Sequence, residues 1–463
     1  MISSELAPWA KTGGLADAVA GLSAALGRAG HDVVVLLPRY AHLPPPGAAG
    51  RQLSSRSALA FRELLSDEPF RIVLVDAPTL FRDPGIYTGD TRDAARFIAL
   101  CEGAQQLPEA LQWQPDIVHC HDWHAALVPA MLGARAHGAA ATLLTLHNIG
   151  YQGVFPAAVV DPVRHPELEA YIHDAQINFL RTGILRADAV TTVSPSYARE
   201  ILTEEFAMGL QDELKSRQAE LVGILNGVDY GTWSPAADPY IEMHYARGDL
   251  APKLEIKRRL MHAAGLQTNP SRPLIGMVSR LAEQKGIDLF VEALPTLLVE
   301  SDAAFVALGS GDPVLAAALD AIASAEPGRM AFTDGYDEAL AHRILAGSDF
   351  VLVPSRYEPC GLTQLYAMRY GTIPIVRKTG GLADTVHHFD PATGQGNGSV
   401  FENADVGGLI WATQAALAWY REPTAWAQLA DNAMQADHSW DRQVAGYESL
   451  YSDLLGKSGT KRE

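Results

Sequence analysis

The chain has 463 residues, 48% hydrophobic and 19% charged, a balance that excludes disorder and coiled coil and leaves length for two large domains or three ordinary ones. Its 36 basic against 54 acidic residues give a formal charge of −18, so a nucleic-acid backbone or an anionic membrane meets a repelling surface, and a small anion needs a local cluster of Lys or Arg. Cys101, Cys120 and Cys360 form no CxxC pair or even framework. With no basic-then-apolar leader and no apolar run of about 18 residues, a cytoplasmic protein is expected.

First in chain order comes KTGGLAD, residues 11–17, after which Leu15, Ala18, Val19, Leu22 and Leu26 keep helical spacing. The glycines predict a turn into a helix N-terminus, where free N–H groups and the positive end of the helix favour an anion or sugar hydroxyls. Close packing of an ordinary βα turn is the plainer alternative. Short apolar runs at 32–37, 116–119 and 142–146 then alternate with helical patterns, which reads as βαβ units around a parallel sheet. His119, His121, Asp122, Trp123 and His124 close one of these strands, and His147 and Asn148 close the next. The histidines invite a metal, yet HxHDWH is not a zinc spacing. Asp122 and His147 read better as sugar contacts, with Trp123 as an apolar platform.

The stretch 234–252 is rich in turn residues and lacks a period, so a domain boundary is expected there. The βαβ rhythm then resumes with strands at 274–279, 305–308, 350–354 and 373–377. Arg280 and Lys285 follow the first of these, at the carboxyl end of a strand where open α/β sheets bind ligands. They read either as a solvated surface pair or as a clamp for a diphosphate. After 350–354 come Glu358, Cys360, Gly361 and Thr363, where a carboxylate, a turn and a helix start coincide. Glu358 suits hydroxyls or positive charge, the N–H groups near Thr363 suit phosphate, and Cys360 reads as a packing residue. KTGGLAD recurs unchanged at 378–384, which shifts both copies toward ligand binding. Trp440, Val444, Tyr447, Leu450, Tyr451 and Leu454 mark a terminal amphipathic helix, with a frayed tail expected from Gly456 to Glu463.

These residues carry a family resemblance. KTGGLAD, HDWH, HNIGYQG, ILNGVD, VSRLAEQKG, PSRYEPCGLTQLYAMRYG and the second KTGGLAD appear in family order between residues 3 and 386. The chain resembles bacterial glycogen synthases and plant starch synthases, retaining glucosyltransferases of the GT-B fold. The resemblance implies an α/β protein with two Rossmann-like domains facing across a cleft, at 1–240 and 241–435, and a helix at 436–463 crossing back to the first. It implies transfer of glucose from ADP-glucose to the non-reducing end of glycogen or another α-1,4-glucan, with no metal and no other cofactor.

By the family pattern, Glu358, His147, Arg280 and Lys285 are the catalytic residues. Lys11, Gly14, Tyr336, Cys360, Gly361, Leu362 and Thr363 bind the donor, Tyr336 stacking on adenine. Asp17, Asp122, Asn148 and Asn226 line the sugar or acceptor side. One departure stands out. The family opens with a full strand, whereas only Met1 and Ile2 precede Ser3, Ser4 and Glu5, so the first strand is expected as a stub. A UDP-glucose-dependent transferase of the same fold and a glucan-binding protein without turnover are the competing readings.

Overall fold

The computed structural model describes residues 1–43, 50–53, 59–133 and 140–460, with side chains described to residue 456. The chain forms two compact units, Met1–Gly227 with Trp440–Glu463, and Val228–Ser439. Each has its own apolar core. The change of unit at Gly227 falls ahead of the turn-rich stretch, not at residue 240. The reason lies in isolated side chains: Trp233, Ile241 and Tyr245 are buried in the second core, and the Trp233 ring stacks between His342 at 3.7 Å and Tyr366 at 3.9 Å. Asp238 accepts hydrogen bonds from His342 and Tyr370. Non-periodic anchors of this kind leave no pattern in a sequence.

In the first unit, the strand Val34–Pro38 pairs in parallel with Arg71–Asp76, and an antiparallel hairpin, Ala60–Leu64 and Gly50–Leu53, extends that side. A second set runs Ile117–His121, Ala141–Leu146, Ala189–Thr192, Leu221–Gly223, all parallel. The N-terminal stub joins the two sets. Ile2, 4% exposed, bridges in parallel to both Leu36 and Cys120, its N–H donating to the His119 carbonyl at 2.8 Å while its carbonyl accepts from His121 at 3.1 Å. Counting the stub as strand one, the parallel strands lie in the order 3-2-1-4-5-6-7, a doubly wound arrangement. Strands buried on both faces read as continuous apolar runs, which is why 34–38 and 141–146 were visible in the sequence. Ala189–Thr192 and Leu221–Gly223, four and three residues long, were not.

The helix Trp440–Thr460 packs on the first unit, its Trp440, Val444 and Tyr447 inside that core. Gly21, in the helix Gly14–Arg28, makes room for it: a Cβ there would lie 1.9 Å from the Trp440 ring. The helix passes Gly456 and reaches Thr460, so the tail expected to fray from Gly456 is helical, and 461–463 lie outside the described residues. It begins at Trp440, not 436, because the Val228 N–H donates to the His438 carbonyl at 2.7 Å and keeps that residue with the second unit.

The second unit holds a six-stranded parallel sheet in the spatial order Met330–Asp334, Ala304–Gly309, Leu274–Val278, Phe350–Val353, Ile373–Arg377, Ser399–Phe401. Numbered along the chain this is 3-2-1-4-5-6, so the winding reverses between Leu274–Val278 and Phe350–Val353. Such a reversal leaves a crevice outside the strands' carboxyl ends. Among the described residues no helix is long and apolar enough to cross a membrane.

Candidate active site

The crevice of the second unit is built by two loops held in close approach. Gly286 ends the loop after Leu274–Val278 with φ +66°, and a Cβ there would lie 2.1 Å from the Pro354 carbonyl oxygen, so only glycine lets the loops meet. Across this contact Lys285 Nζ lies 2.6 Å from Glu358 Oε2, and the Ser355 hydroxyl donates to the same oxygen at 2.8 Å. Glu358 is 5% exposed. With Gly361, Leu362 and Thr363 the pair lines a hollow of about 40 Å³. Cys360, expected at the donor, is buried and does not line the hollow. The Gln364 amide donates to the Cys360 carbonyl at 3.1 Å and the Gly361 carbonyl at 2.9 Å, fixing the turn that opens the helix Thr363–Arg369.

The second KTGGLAD does something other than expected. A Cβ on Gly380 would lie 2.0 Å from the Glu358 carbonyl oxygen and one on Gly381 2.1 Å from that of Cys360. The Gly381 N–H donates to the Glu358 and Pro359 carbonyls. This copy therefore packs against the Glu358 loop, the contact that the close-packing alternative describes. Arg280 shares the loop of Lys285, and Tyr336 sits on the loop after Met330–Asp334 at the same edge of the sheet. Arg280 is exposed and donates to Gln284 at 3.2 Å. Tyr336, 74% exposed, donates its hydroxyl to Glu338 and does not line the hollow around Lys285 and Glu358.

The first unit repeats the plan at its own reversal, between the stub and Ile117–His121. Glu5, 3% exposed, accepts from the Thr12 N–H at 2.7 Å, the Gly13 N–H at 3.1 Å, the Thr12 hydroxyl at 2.7 Å and the Tyr87 hydroxyl at 2.6 Å. The N–H groups of Thr12 and Gly13, expected to be free for an anion, are thus occupied by a carboxylate of the chain itself. Gly14 opens the helix beyond them, and Lys11 pairs with Asp17 at 3.0 Å.

Asp122 holds φ +55°, which a short polar side chain tolerates. Its carboxylate accepts from the backbone N–H of His147 at 2.7 Å and of Asn148 at 3.3 Å. Burial pushes that carboxyl up to about 7 against the opposing effect of those two bonds, and the charge of nearby Glu5 adds to the rise. Burial also lowers His147 to about 3, so its imidazole is neutral. Its Nε2 lies 3.0 Å from Nδ1 of His121.

His119 is committed to the Tyr451 hydroxyl at 2.8 Å and the Thr145 hydroxyl at 2.6 Å. Among the described residues no cluster of three or more His, Cys, Asp or Glu is arranged to hold a metal ion. Asn226 is 5% exposed, with its side-chain oxygen unpaired. Trp123 is no platform. It is 8% exposed, set edge-on against Phe97 at 5.0 Å and pressed on Gly153, where a Cβ would come within 2.3 Å of the ring.

These loops match known proteins over nearly the whole chain. The starch synthase catalytic domain family matches residues 1–216, and the glycosyl transferases group 1 family matches 272–418. A glycogen synthase of Anaeromyxobacter dehalogenans is 44% identical, with 98% of each chain covered. A glycogen synthase 1 of Methylococcus capsulatus is 43% identical over 98% of this chain and 96% of its own. The chain belongs to the glycogen synthase family of glycosyltransferases.

Among solved structures, the catalytic domain of starch synthase IV from Arabidopsis thaliana bound to ADP and acarbose superposes with a TM-score of 0.88, at 33% identity and 98% coverage of both chains. A sucrose-phosphate synthase from Thermosynechococcus elongatus, 19% identical with a TM-score of 0.65 over 96% of this chain and 94% of its own, shares the fold. The two units are the Rossmann-like domains of the GT-B fold. In this family member the sequence reading overlooked Glu5, Ser355 and Gln364, which position the turns around the candidate residues. Glu5 had a signal, a lone acid in an apolar N-terminal segment, while Ser355 and Gln364 had none.

Proposed function

We propose that the chain transfers glucose from ADP-glucose to the non-reducing end of an α-1,4-glucan with retention at the anomeric carbon. The observation that carries this reading is the Lys285–Glu358–Ser355 cluster at the reversal of the second sheet, beside the Gly361–Thr363 turn, in a glycogen synthase family member. Lys285 keeps two ammonium protons beyond the one it gives Glu358, and these and the Arg280 guanidinium receive the diphosphate. Glu358 holds glucose hydroxyls. Tyr336 is the stacking surface for adenine, and Asp17, Asp122, neutral His147, Asn148 and Asn226 form the sugar and acceptor side.

Retention through a covalent intermediate needs a second carboxylate about 5 Å from the first, and among the described residues lining the hollow Glu358 is the one acid. Front-face substitution suits this set better. The anomeric C–O bond to the diphosphate breaks, the acceptor 4-hydroxyl bonds on the same face, and its proton passes to the leaving phosphate oxygen. Arg280 and Lys285 supply the positive charge that a divalent ion gives other transferases. The test is incorporation of labelled glucose into glycogen from ADP-glucose and UDP-glucose side by side, with and without excess EDTA. Incorporation should favour ADP-glucose and be unchanged by EDTA. Preference for UDP-glucose, no turnover, or EDTA inhibition reversed by Mg²⁺ would each overturn the corresponding part.

A further inference from the structure

A second hollow, of about 650 Å³, lies in the second unit at its edge strand Ser399–Phe401 and shares no lining residue with the Lys285–Glu358 hollow. Its wall carries Trp411, 53% exposed, an unusual state for the largest apolar side chain. The ring is fixed in place. His388 stacks on it at 5.3 Å and 14° between planes; that imidazole in turn accepts the Val400 N–H at 3.1 Å and meets the edge of Trp419 at 5.1 Å. Around this flat surface stand side chains that hydrogen-bond: His387, Asn403, and Lys378 paired with Glu402 at 2.8 Å. Gly407, in the first turn of the helix Val406–Tyr420, leaves the floor bare. A Cβ there would touch only the Asp405 carboxylate, at 3.5 Å, so no crowding requires glycine at that position.

The chemistry selects among ligands. The cation present is already matched by an anion, and the chain as a whole carries −18, so a nucleotide or another polyanion finds no net attraction. A rigid aromatic face edged by neutral or charge-balanced hydrogen-bonding groups, in a hollow within the roughly 300–1,000 Å³ of small-molecule sites, fits a pyranose ring: apolar C–H face on the indole, hydroxyls to the rim. We propose that this hollow is a glucan-anchoring site, with Trp411 as its platform, that holds an α-1,4-glucan chain away from the reacting end. The proposal rests on the chain acting on glucan, and its test is chosen to fail separately from that reading.

Gel electrophoresis of the full chain through native gels with and without glycogen, no donor present, measures binding directly. Glycogen should retard the wild type, and Trp411→Ala should weaken that binding about tenfold while Trp411→Phe keeps most of it; equal melting temperatures show that the exposed site was changed without harm to the fold. In the transfer assay Trp411→Ala should raise KM for glycogen about five- to tenfold and leave kcat, KM for ADP-glucose and KM for maltotriose unchanged, since a short acceptor reaches the reacting site without the anchor. Unaltered retardation of Trp411→Ala, or no retardation of the wild type, overturns the site. An equal rise in KM for maltotriose assigns Trp411 to the reacting site, and a changed oligomeric state with unchanged glycogen binding assigns the face to a second copy of the chain. Glycogen binding that depends on Trp411 without turnover of ADP-glucose would uphold the anchor and reject the transferase reading.

Discussion

At the scale of single residues, the pair that matters most is Lys285 and Glu358, because each is the other's partner as well as a candidate for chemistry. Glu358→Gln should keep the fold and lower kcat by about two to three decades, the loss of a contact worth about 3–4 kcal/mol to the transition state. Lys285→Ala leaves a buried carboxylate without its cation and should also cost about 2–3 kcal/mol of stability. Adding Glu358→Gln to Lys285→Ala should recover the melting temperature and not the activity; recovery of both would make the pair purely structural.

Asp122 permits a test by pH. Its folded carboxyl titrates at about 7 against the usual 3.8, so between those values the folded chain keeps a proton that the unfolded chain loses, and stability falls as pH rises. His147, at about 3 against 6.5, acts in the opposite sense: the unfolded chain holds the extra proton, and stability rises through that window. Asp122→Asn, which tolerates the same φ, removes only the falling contribution. Its unfolding free energy should gain up to about 1.4 kcal/mol per pH unit on the wild type across this range, as read from urea melts. Parallel curves would show that Asp122 is ionised throughout. Residues at this scale were unevenly legible: Glu358 and Asp122 stand at strand ends, where chemistry is expected, but whether Trp123 faces ligand or core depends on Phe97 and Gly153, distant in sequence.

Among the elements, the N-terminal stub does most for its length. Among the described residues, Met1 to Ser3 make five backbone hydrogen bonds with Val34, Leu36, His119 and His121, and so close the seam between the two halves of a sheet. Ile2→Pro deletes the donor to His119 and should lower the melting temperature by several degrees, since about 1–2 kcal/mol shifts a protein of this size by a few degrees. Hydrogen exchange should quicken along Val34–Pro38 and Ile117–His121 together. Faster exchange confined to residues 1–5 would show that the halves hold without the stub. The repeated KTGGLAD teaches a related lesson: one heptapeptide leads from a turn into a helix twice, the helix starting at Gly14 in the first copy and one motif position earlier, at Gly380, in the second, yet Glu5 occupies the first turn's N–H groups and the Glu358 loop rests on the second. Local form was legible, and use was not.

For the whole molecule, the decisive connection is the helix Trp440–Thr460, which completes the core of the unit that the chain left at Gly227. Deleting residues 440–463 strips Trp440, Val444 and Tyr447 from that core, each buried side chain contributing about 1.5–3 kcal/mol. The first unit should lose its cooperative melt while 228–439, whose core contains none of these residues, survives limited proteolysis as a fragment. Protection of both units in the truncated chain would show the helix to be peripheral.

The sequence by itself determined the class of the fold, the two-block rhythm of strands and helices and the loops that carry the candidate residues. Each follows from local facts: periodicity, turn chemistry and motifs contiguous in the chain. Only the tertiary structure decided that residues 228–250 belong to the second unit, that Ile2 joins two half-sheets, that Lys285 meets Glu358, and that Trp411 stands open where Trp123 is closed over. Those outcomes depend on pairs of groups far apart in the chain, and a hydrogen bond, an ion pair or a stacked ring exists only once the fold has brought both partners to the same place.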